Sequence, residues 1–393
     1  LPRLKSENGL FSAGIGGSIQ LDSGIYFQEK NSKNVDLSDG LRVRRASLNF
    51  NGVTYNDWIW WIAYDLEDGG DQPRDGLRGA MAIYRGFKPW WLFAGLFGNS
   101  IGLDASGAST QRSFMEPAIP MATFAYSPGS PAMGVAMTHR GREHYLRLGI
   151  YGESDKSTSE HDEGVGLQGR IVWQPIKKRT SALHIGTTGY IRKPNNESTI
   201  CYDTITSDTD CSQYANGRLS SVRYKSTGET AIDGRNILDT GKISDVSYYW
   251  HNGIEAARVY GPLSLQMEYG VVKIDRRTSS NPMFEGGYIQ GSYFLTGESK
   301  NYNSYFGQFW RIKPFNNYSP GKGGGAWEIA TRVSYIDLDD EDILGGKATS
   351  YTLGVNWYLN SFVKALVNFN HTESSGPNSE DFNSIISRLQ IEF

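Results

Sequence analysis

Two adjacent arginines, Arg44 and Arg45, mark the stretch of this chain with the clearest chemical content. They lie in residues 41–66, LRVRRASLNFNGVTYNDWIWWIAYDL, where polar and apolar residues alternate on both sides of a short turn, Thr54-Tyr55-Asn56-Asp57. Before the turn, Arg45, Ser47 and Asn49 share one parity and Ala46, Leu48 and Phe50 the other. After it, Trp58, Trp60, Ile62, Tyr64 and Leu66 share a parity, with Ala63 and Asp65 opposite. Period-two alternation describes strands with one apolar and one polar face. Asn and Asp in so short a connection suit an antiparallel hairpin. Arginine presents a fixed fork of donors and keeps its charge at any working pH. A guanidinium on the polar face is therefore equipped to contact anions in whatever that face encloses. Parity sends Arg45 there, and Arg44 to the other face unless a bulge or a subunit contact rescues it.

Other reactive groups are sparse. Cys201 and Cys211 sit ten positions apart in a Ser/Thr/Asp-rich stretch with no histidine or further cysteine nearby to complete a metal site. In an oxidising compartment they are expected to close a short disulfide loop, contributing about 2–3 kcal/mol. The run Asp337-Leu338-Asp339-Asp340-Glu341-Asp342 offers oxygen ligands for Ca²⁺, with a solvated acidic loop as the alternative. The six histidines show no paired metal spacing, and neither a Gly-x-Ser-x-Gly elbow nor a phosphate-binding glycine loop occurs. No enzyme activity, metal or cofactor is expected.

The elements that must position the arginines are strands. Of 393 residues, 38% are hydrophobic and 13% aromatic, and no apolar run approaches the ~20 residues of a membrane helix. Heptads and long helical periodicity are absent, and no compositional break divides the chain, so one all-β domain over residues 1–393 is expected. Alternating segments recur to the C-terminus and number about sixteen. The joins between them alternate between long polar loops, such as residues 98–131 and 193–246, and tight turns. That layout is a transmembrane antiparallel β-barrel of about sixteen strands. One join on the tight side is long, residues 297–325, and is expected at the short-turn mouth. The loop at 98–131 is expected to fold into the lumen as a constriction.

Trp58, Trp60, Trp61, Trp90, Trp91, Trp173, Trp327 and Trp357 all flank the short-turn rim in sequence, as an interfacial girdle would. A net charge of −3 excludes a generally basic nucleic-acid binder. Leu1-Pro2-Arg3 reads as the trimmed start of an exported chain.

A series of motifs sharpens this reading. It begins with Arg44-Arg45-Ala46 with Tyr55, Asp57, Trp58, Tyr64 and Asp65, and Tyr84-Arg85-Gly86-Phe87-Lys88-Pro89. It continues through Leu295-Thr296-Gly297-Glu298, Ile312-Lys313-Pro314 and Gly325-Ala326-Trp327-Glu328. It ends with Leu353-Gly354-Val355-Asn356-Trp357-Tyr358 and Arg388-Leu389-Gln390. These motifs give the sequence a resemblance to the phosphate-selective porin O and P family of Gram-negative outer membranes. The resemblance implies a sixteen-stranded homotrimeric channel among outer-membrane lipids, with subunit contacts near the first and last strands and an arginine-lined path for small anions. An anion entering such a path gives up hydration, and wall arginines or lysines replace it.

Carried over position by position, Arg44 and Arg45 stand at the family's constriction pair. Arg235 matches an arginine of the long mid-chain loop, and Arg218, Arg223 and Lys225 precede it as a possible basic ladder. Arg78 adds a positive charge where the named porins carry an acid. The constriction loop contributes Asp104, Arg112 and Glu116, with Asp104 and Glu116 able to cancel the positive field if they reach its level. Ser47 stands where the named porins carry Tyr or Phe, and Ala105 where they carry Lys. These departures favour a general anion preference over strict phosphate selectivity. The alternative is a general diffusion or organic-solute porin on the same barrel; a secreted soluble β-protein or outer-membrane enzyme is the third class.

Overall fold

The computed structural model describes residues 3–28, 37–67, 76–98, 101–126, 131–152, 164–194 and 221–393. Cys201, Cys211 and Arg218 lie outside the described residues. Sixteen strands close into an antiparallel barrel, with Arg3–Lys5 pairing as a short extra strand at the start. The first eight are β1 (Phe11–Phe27), β2 (Gly40–Thr54), β3 (Trp58–Asp65), β4 (Leu77–Tyr84), β5 (Trp90–Phe97), β6 (Ala132–Arg140), β7 (His144–Tyr151) and β8 (Val165–Lys178). The rest are β9 (Ser181–Lys193), β10 (Val246–Tyr260), β11 (Leu263–Arg276), β12 (Met283–Phe294), β13 (Ala326–Asp340), β14 (Ile343–Tyr358), β15 (Val363–Ser375) and β16 (Phe382–Glu392). Closure is between β1 and β16, where Ile19 faces Ile391 and Asp22 faces Arg388.

The outer surface carries an apolar row on strand after strand, including Ile15, Ile19 and Ile25 on β1, Leu265 and Met267 on β11, and Leu353 and Val355 on β14. Soluble monomers rarely expose so continuous an apolar band; on a closed barrel it is the lipid face. Trp58 with Tyr84, and Trp327 stacked on Trp357 at 5.3 Å, stand on its short-turn rim. Trp61 and Trp91 do not join this girdle. Both point inward: a Cβ at Gly79 would meet Trp61 at 2.2 Å, and the Arg140 guanidinium lies 3.7 Å over Trp91. In a run such as Trp58-Ile59-Trp60-Trp61 every residue is apolar, so composition does not reveal which parity faces lipid.

The apolar core lies inside the barrel. Val222, Tyr224, Ile237, Leu238 and Ile243 of the mid-chain loop pack against inward-facing Tyr249, Ile274, Phe284 and Ile336 of the wall. Ile119 and Phe124 join them from a helix, α1 (Ile119–Tyr126), in the in-folded loop. Residues 297–325 also turn inward. Lys300 bonds Ser113, the Gly307 carbonyl accepts from Arg170 at 2.9 Å, and Tyr302 and His184 share a 2.6 Å hydrogen bond. Loops thus line the β9–β16 side of the lumen, and residues 297–325 reach on to Arg170 of β8 and Trp91 of β5.

Candidate functional site

On β2 the ladder is interrupted. Gln20 faces Arg45 and Leu21 faces Val43, which leaves Arg44 as an extra residue. A bulge of this kind opposes two residues to one and re-aims a side chain. It turns Arg44 inward beside Arg45. The inward row of β2 then runs Arg42, Arg44, Arg45, Ser47, Asn49 and Asn51, all half-buried. Arg3 extends it at the short-turn end by donating to Asn51 Oδ1 at 3.0 Å.

Arg44 Nε and Nη2 donate to the two carboxylate oxygens of Glu116 at 2.9 and 3.0 Å. Arg388, on β16, donates to both oxygens of Asp22 at 2.7 Å, to Glu116 Oε1 at 2.8 Å and to the Met115 carbonyl at 2.6 Å. Arg45 differs: among the described residues its hydrogen bond goes to a neutral acceptor, Gln20 Oε1, at 2.8 Å. Three guanidiniums therefore meet two carboxylates, and the surplus positive charge rests on Arg45. Glu116 does reach the arginine level and neutralises part of the field.

Burial alone would raise the Glu116 carboxyl, but Arg44, Arg388 and Arg45 outweigh it and hold the group well below the usual carboxylate range. A depressed carboxylate contributes stability that is present above its unfolded pKa and lost as pH falls through the folded value. Ion selectivity is therefore expected to hold as pH falls through the ordinary glutamate range. It should rise toward anions only below that, as Glu116 is neutralised and Arg44 released. Zero-current potentials recorded at a series of pH values check this; a transition centred on the ordinary glutamate range contradicts it.

The in-folded loop is held chiefly through its backbone. Glu268 accepts from the Leu103 and Asp104 amides at 2.7 Å each. Lys364 donates to the Arg112 carbonyl at 2.7 Å, Asn356 to Ser113 at 2.8 Å, Arg332 to Glu116 at 3.2 Å and Gln390 to Thr110 at 3.0 Å. Wall cations on β13–β16 thus serve loop carbonyls. Arg112 likewise turns back on its own loop, donating to the Asp104 carbonyl at 3.1 and 3.2 Å and lying 3.5 Å from the Asp104 carboxylate. Asp104 also accepts from the Ala118 amide at 3.1 Å.

The remaining basic candidates are held by other carboxylates or loop strands. Arg78 lies 3.3 Å from Asp65, half of its side chain exposed. Arg235 is bound to Asp233 and donates to Ser38 Oγ at 3.1 Å, next to the long-loop end of β2. Arg78 and Arg235, expected to help Arg45 make the constriction positive, are thus each matched by a carboxylate. Arg223 is paired with Asp239, and Lys225 belongs to a two-residue strand, Lys225–Ser226, facing Leu238–Asp239. In the acidic run, Asp337 pairs with Lys347 at 2.7 Å and Asp342 accepts from Ser280 at 2.6 Å while bonding Arg276. Asp339 and Asp340 accept the Gly346 and Met283 amides at 2.7 and 2.8 Å. Local bonds thus engage carboxylates that a Ca²⁺ site would need.

Sequence reasoning missed three important groups. Arg388 alternates with Ile385, Leu389 and Ile391, which is signal enough to send it inward. Asp22 required its partner strand. Glu229, which accepts from Arg332 Nε at 3.0 Å and Thr352 Oγ1 at 2.6 Å and so anchors the mid-chain loop, carried no local signal.

The family profile described as phosphate-selective porin O and P matches residues 14–393. The chain is 28% identical to Porin O of Pseudomonas aeruginosa, over 98% of this chain and 89% of that protein. Among solved structures it is similar in fold to an anion-selective porin from Comamonas acidovorans, at 11% identity and a TM-score of 0.58, covering 98% of this chain and 100% of that one. The trimer form of Vibrio cholerae OmpT superposes with a TM-score of 0.52 at 8% identity, over 98% and 99% of the two chains. A closed sixteen-strand barrel, an inward arginine pair opposed by an in-folded loop, and a profile match over nearly the whole length together show that the chain belongs to the phosphate-selective porin O and P family of the Gram-negative outer membrane.

Proposed function

We propose that this porin is a passive channel for small anions that passes them along β2, with Arg45 as the selectivity residue and the Arg44–Glu116–Arg388–Asp22 cluster as its fixed support. The observation carrying this reading is that Arg45 keeps its charge beside a neutral glutamine while neighbouring guanidiniums are matched by carboxylates. A half-buried row of Arg, Ser and Asn below it offers donors of moderate strength in sequence, which suits an ion that must also leave. Ser47 in place of an aromatic ring, and Ala105 in place of a lysine, favour phosphate-like and other small anions over phosphate alone. The zero-current potential of the wild-type pore across a KCl gradient tests the reading. A sign showing chloride more permeant than potassium is expected, and the opposite sign refutes it.

A homotrimer is part of the same proposal. Among the described residues, strands β3, β4, β5 and β7 have only eight residues each, against fifteen and sixteen in β13 and β14. Eight residues at ~3.3 Å and a tilt of about 45° rise about 19 Å, short of a ~25 Å lipid-facing band. A wall that short is better covered by protein than by lipid, which draws the subunit contact toward β3–β7 rather than to the first and last strands alone. Native mass in mild detergent is expected at three chains; a conducting monomer contradicts it.

A further inference from the structure

The inner wall of β3–β5 is apolar where the lumen of a channel for small ions is ordinarily polar. Ile59, Trp61, Met81 and Trp91 face inward on neighbouring strands and are only half-buried, with Phe93 beside them. This surface adjoins the polar row of β2 directly, since Asn51 faces Trp61 and Val53 faces Ile59. Beyond it, two guanidiniums lie on aromatic rings. Arg147 sits 4.8 Å from the Phe93 centroid and 5.0 Å from Phe97, with Nε donating to the Tyr151 hydroxyl at 3.3 Å. Arg140 lies over Trp91 and, at 4.4 Å, over Tyr305, and its Nε and Nη1 are buried without an acceptor. The lumen therefore has a cationic and polar side, an apolar side beside it, and further guanidiniums at the apolar edge.

We infer that the solutes handled best here are organic anions with a flat apolar body, aromatic carboxylates being the type, and this rests on the anion-channel reading above. A hydrated inorganic anion loses water against Trp61 and Met81 and receives nothing in return. An aromatic carboxylate instead lays its ring on that wall, burying apolar area and stacking. Its carboxylate meanwhile reaches Arg45 on one flank or the Arg147 guanidinium on the other. Each contact is weak enough to release, so the wall acts as a run of shallow sites.

The test uses the full chain in planar bilayers, with sodium benzoate and sodium shikimate each measured against sodium chloride. Shikimate is a ring carboxylate of comparable size whose hydroxyls prevent apolar contact on both faces. Benzoate is expected to be several-fold more permeant than shikimate in the wild type. Met81→Gln and Trp61→Gln are each expected to lower the benzoate-to-shikimate ratio about threefold while the chloride-to-sodium ratio holds; Gln keeps the volume of Met, so the sieve at position 81 does not change. Equal wild-type permeability of the two carboxylates overturns the inference, as does a ratio that Met81→Gln leaves intact. Should either variant fail to assemble, the wild-type ratio and the other variant still decide. A wild-type pore that prefers sodium to chloride refutes the anion reading itself and is seen in the chloride gradient alone.

Discussion

Arg388→Met is expected to destabilise the barrel strongly and to make its conductance noisy. The Arg388 side chain is 1% exposed and bonds Asp22, Glu116 and the Met115 carbonyl at once. Methionine fills similar volume but leaves Asp22 buried without its two bonds from a guanidinium, and deprives the loop of one of its backbone anchors. Breaking a buried pair by removing one partner costs about 3–5 kcal/mol, because the other charge remains. A lower denaturation temperature of the detergent-extracted protein, together with larger single-channel current fluctuations, is the expected outcome. The double variant Arg388→Met, Asp22→Asn should recover part of the stability, since it removes the stranded charge. If the single variant melts with wild type, the cluster is not the support described above.

Arg45→Ala is the second large effect, and it falls on selectivity rather than stability. At an effective dielectric near 20, one charge about 4 Å from an anion is worth about 4 kcal/mol before desolvation is subtracted. If about a third survives, the anion-to-cation permeability ratio falls roughly tenfold. Barrel assembly should be unaffected, because Gln20 loses one bond from the Arg45 guanidinium and keeps its bond to Gln390 at 3.0 Å. Arg235→Ala and Arg78→Ala serve as comparisons. Each removes a guanidinium together with its claim on a carboxylate, Asp233 or Asp65, and both lie in wetter surroundings where screening is strong. Their effect on the zero-current potential is expected to be smaller. An unchanged potential in Arg45→Ala, or equal shifts in all three variants, assigns selectivity to the summed field instead.

The strand pattern, the hairpin at Tyr55-Asn56, the long and short rims and the inward course of Arg45 were all legible in the sequence, because period-two alternation and turn chemistry act over a few residues. Tyr55 and Asn56 do take left-handed φ values of 47° and 62°, as a tight connection there requires. Three things were decided only by the tertiary structure. The inward turn of Arg44 depends on its register against β1, since a bulge is a property of two strands and not of one. The pairing of Glu116 with Arg44 and Arg388 joins residues 72 and 272 positions apart, brought together only when β16 closes on β1 and the loop folds between them. Finally, charge at the constriction is a difference between partners: the acid that matches Arg235 is its near neighbour Asp233, whereas only the pairing of β2 with β1 sets Arg45 beside the neutral Gln20.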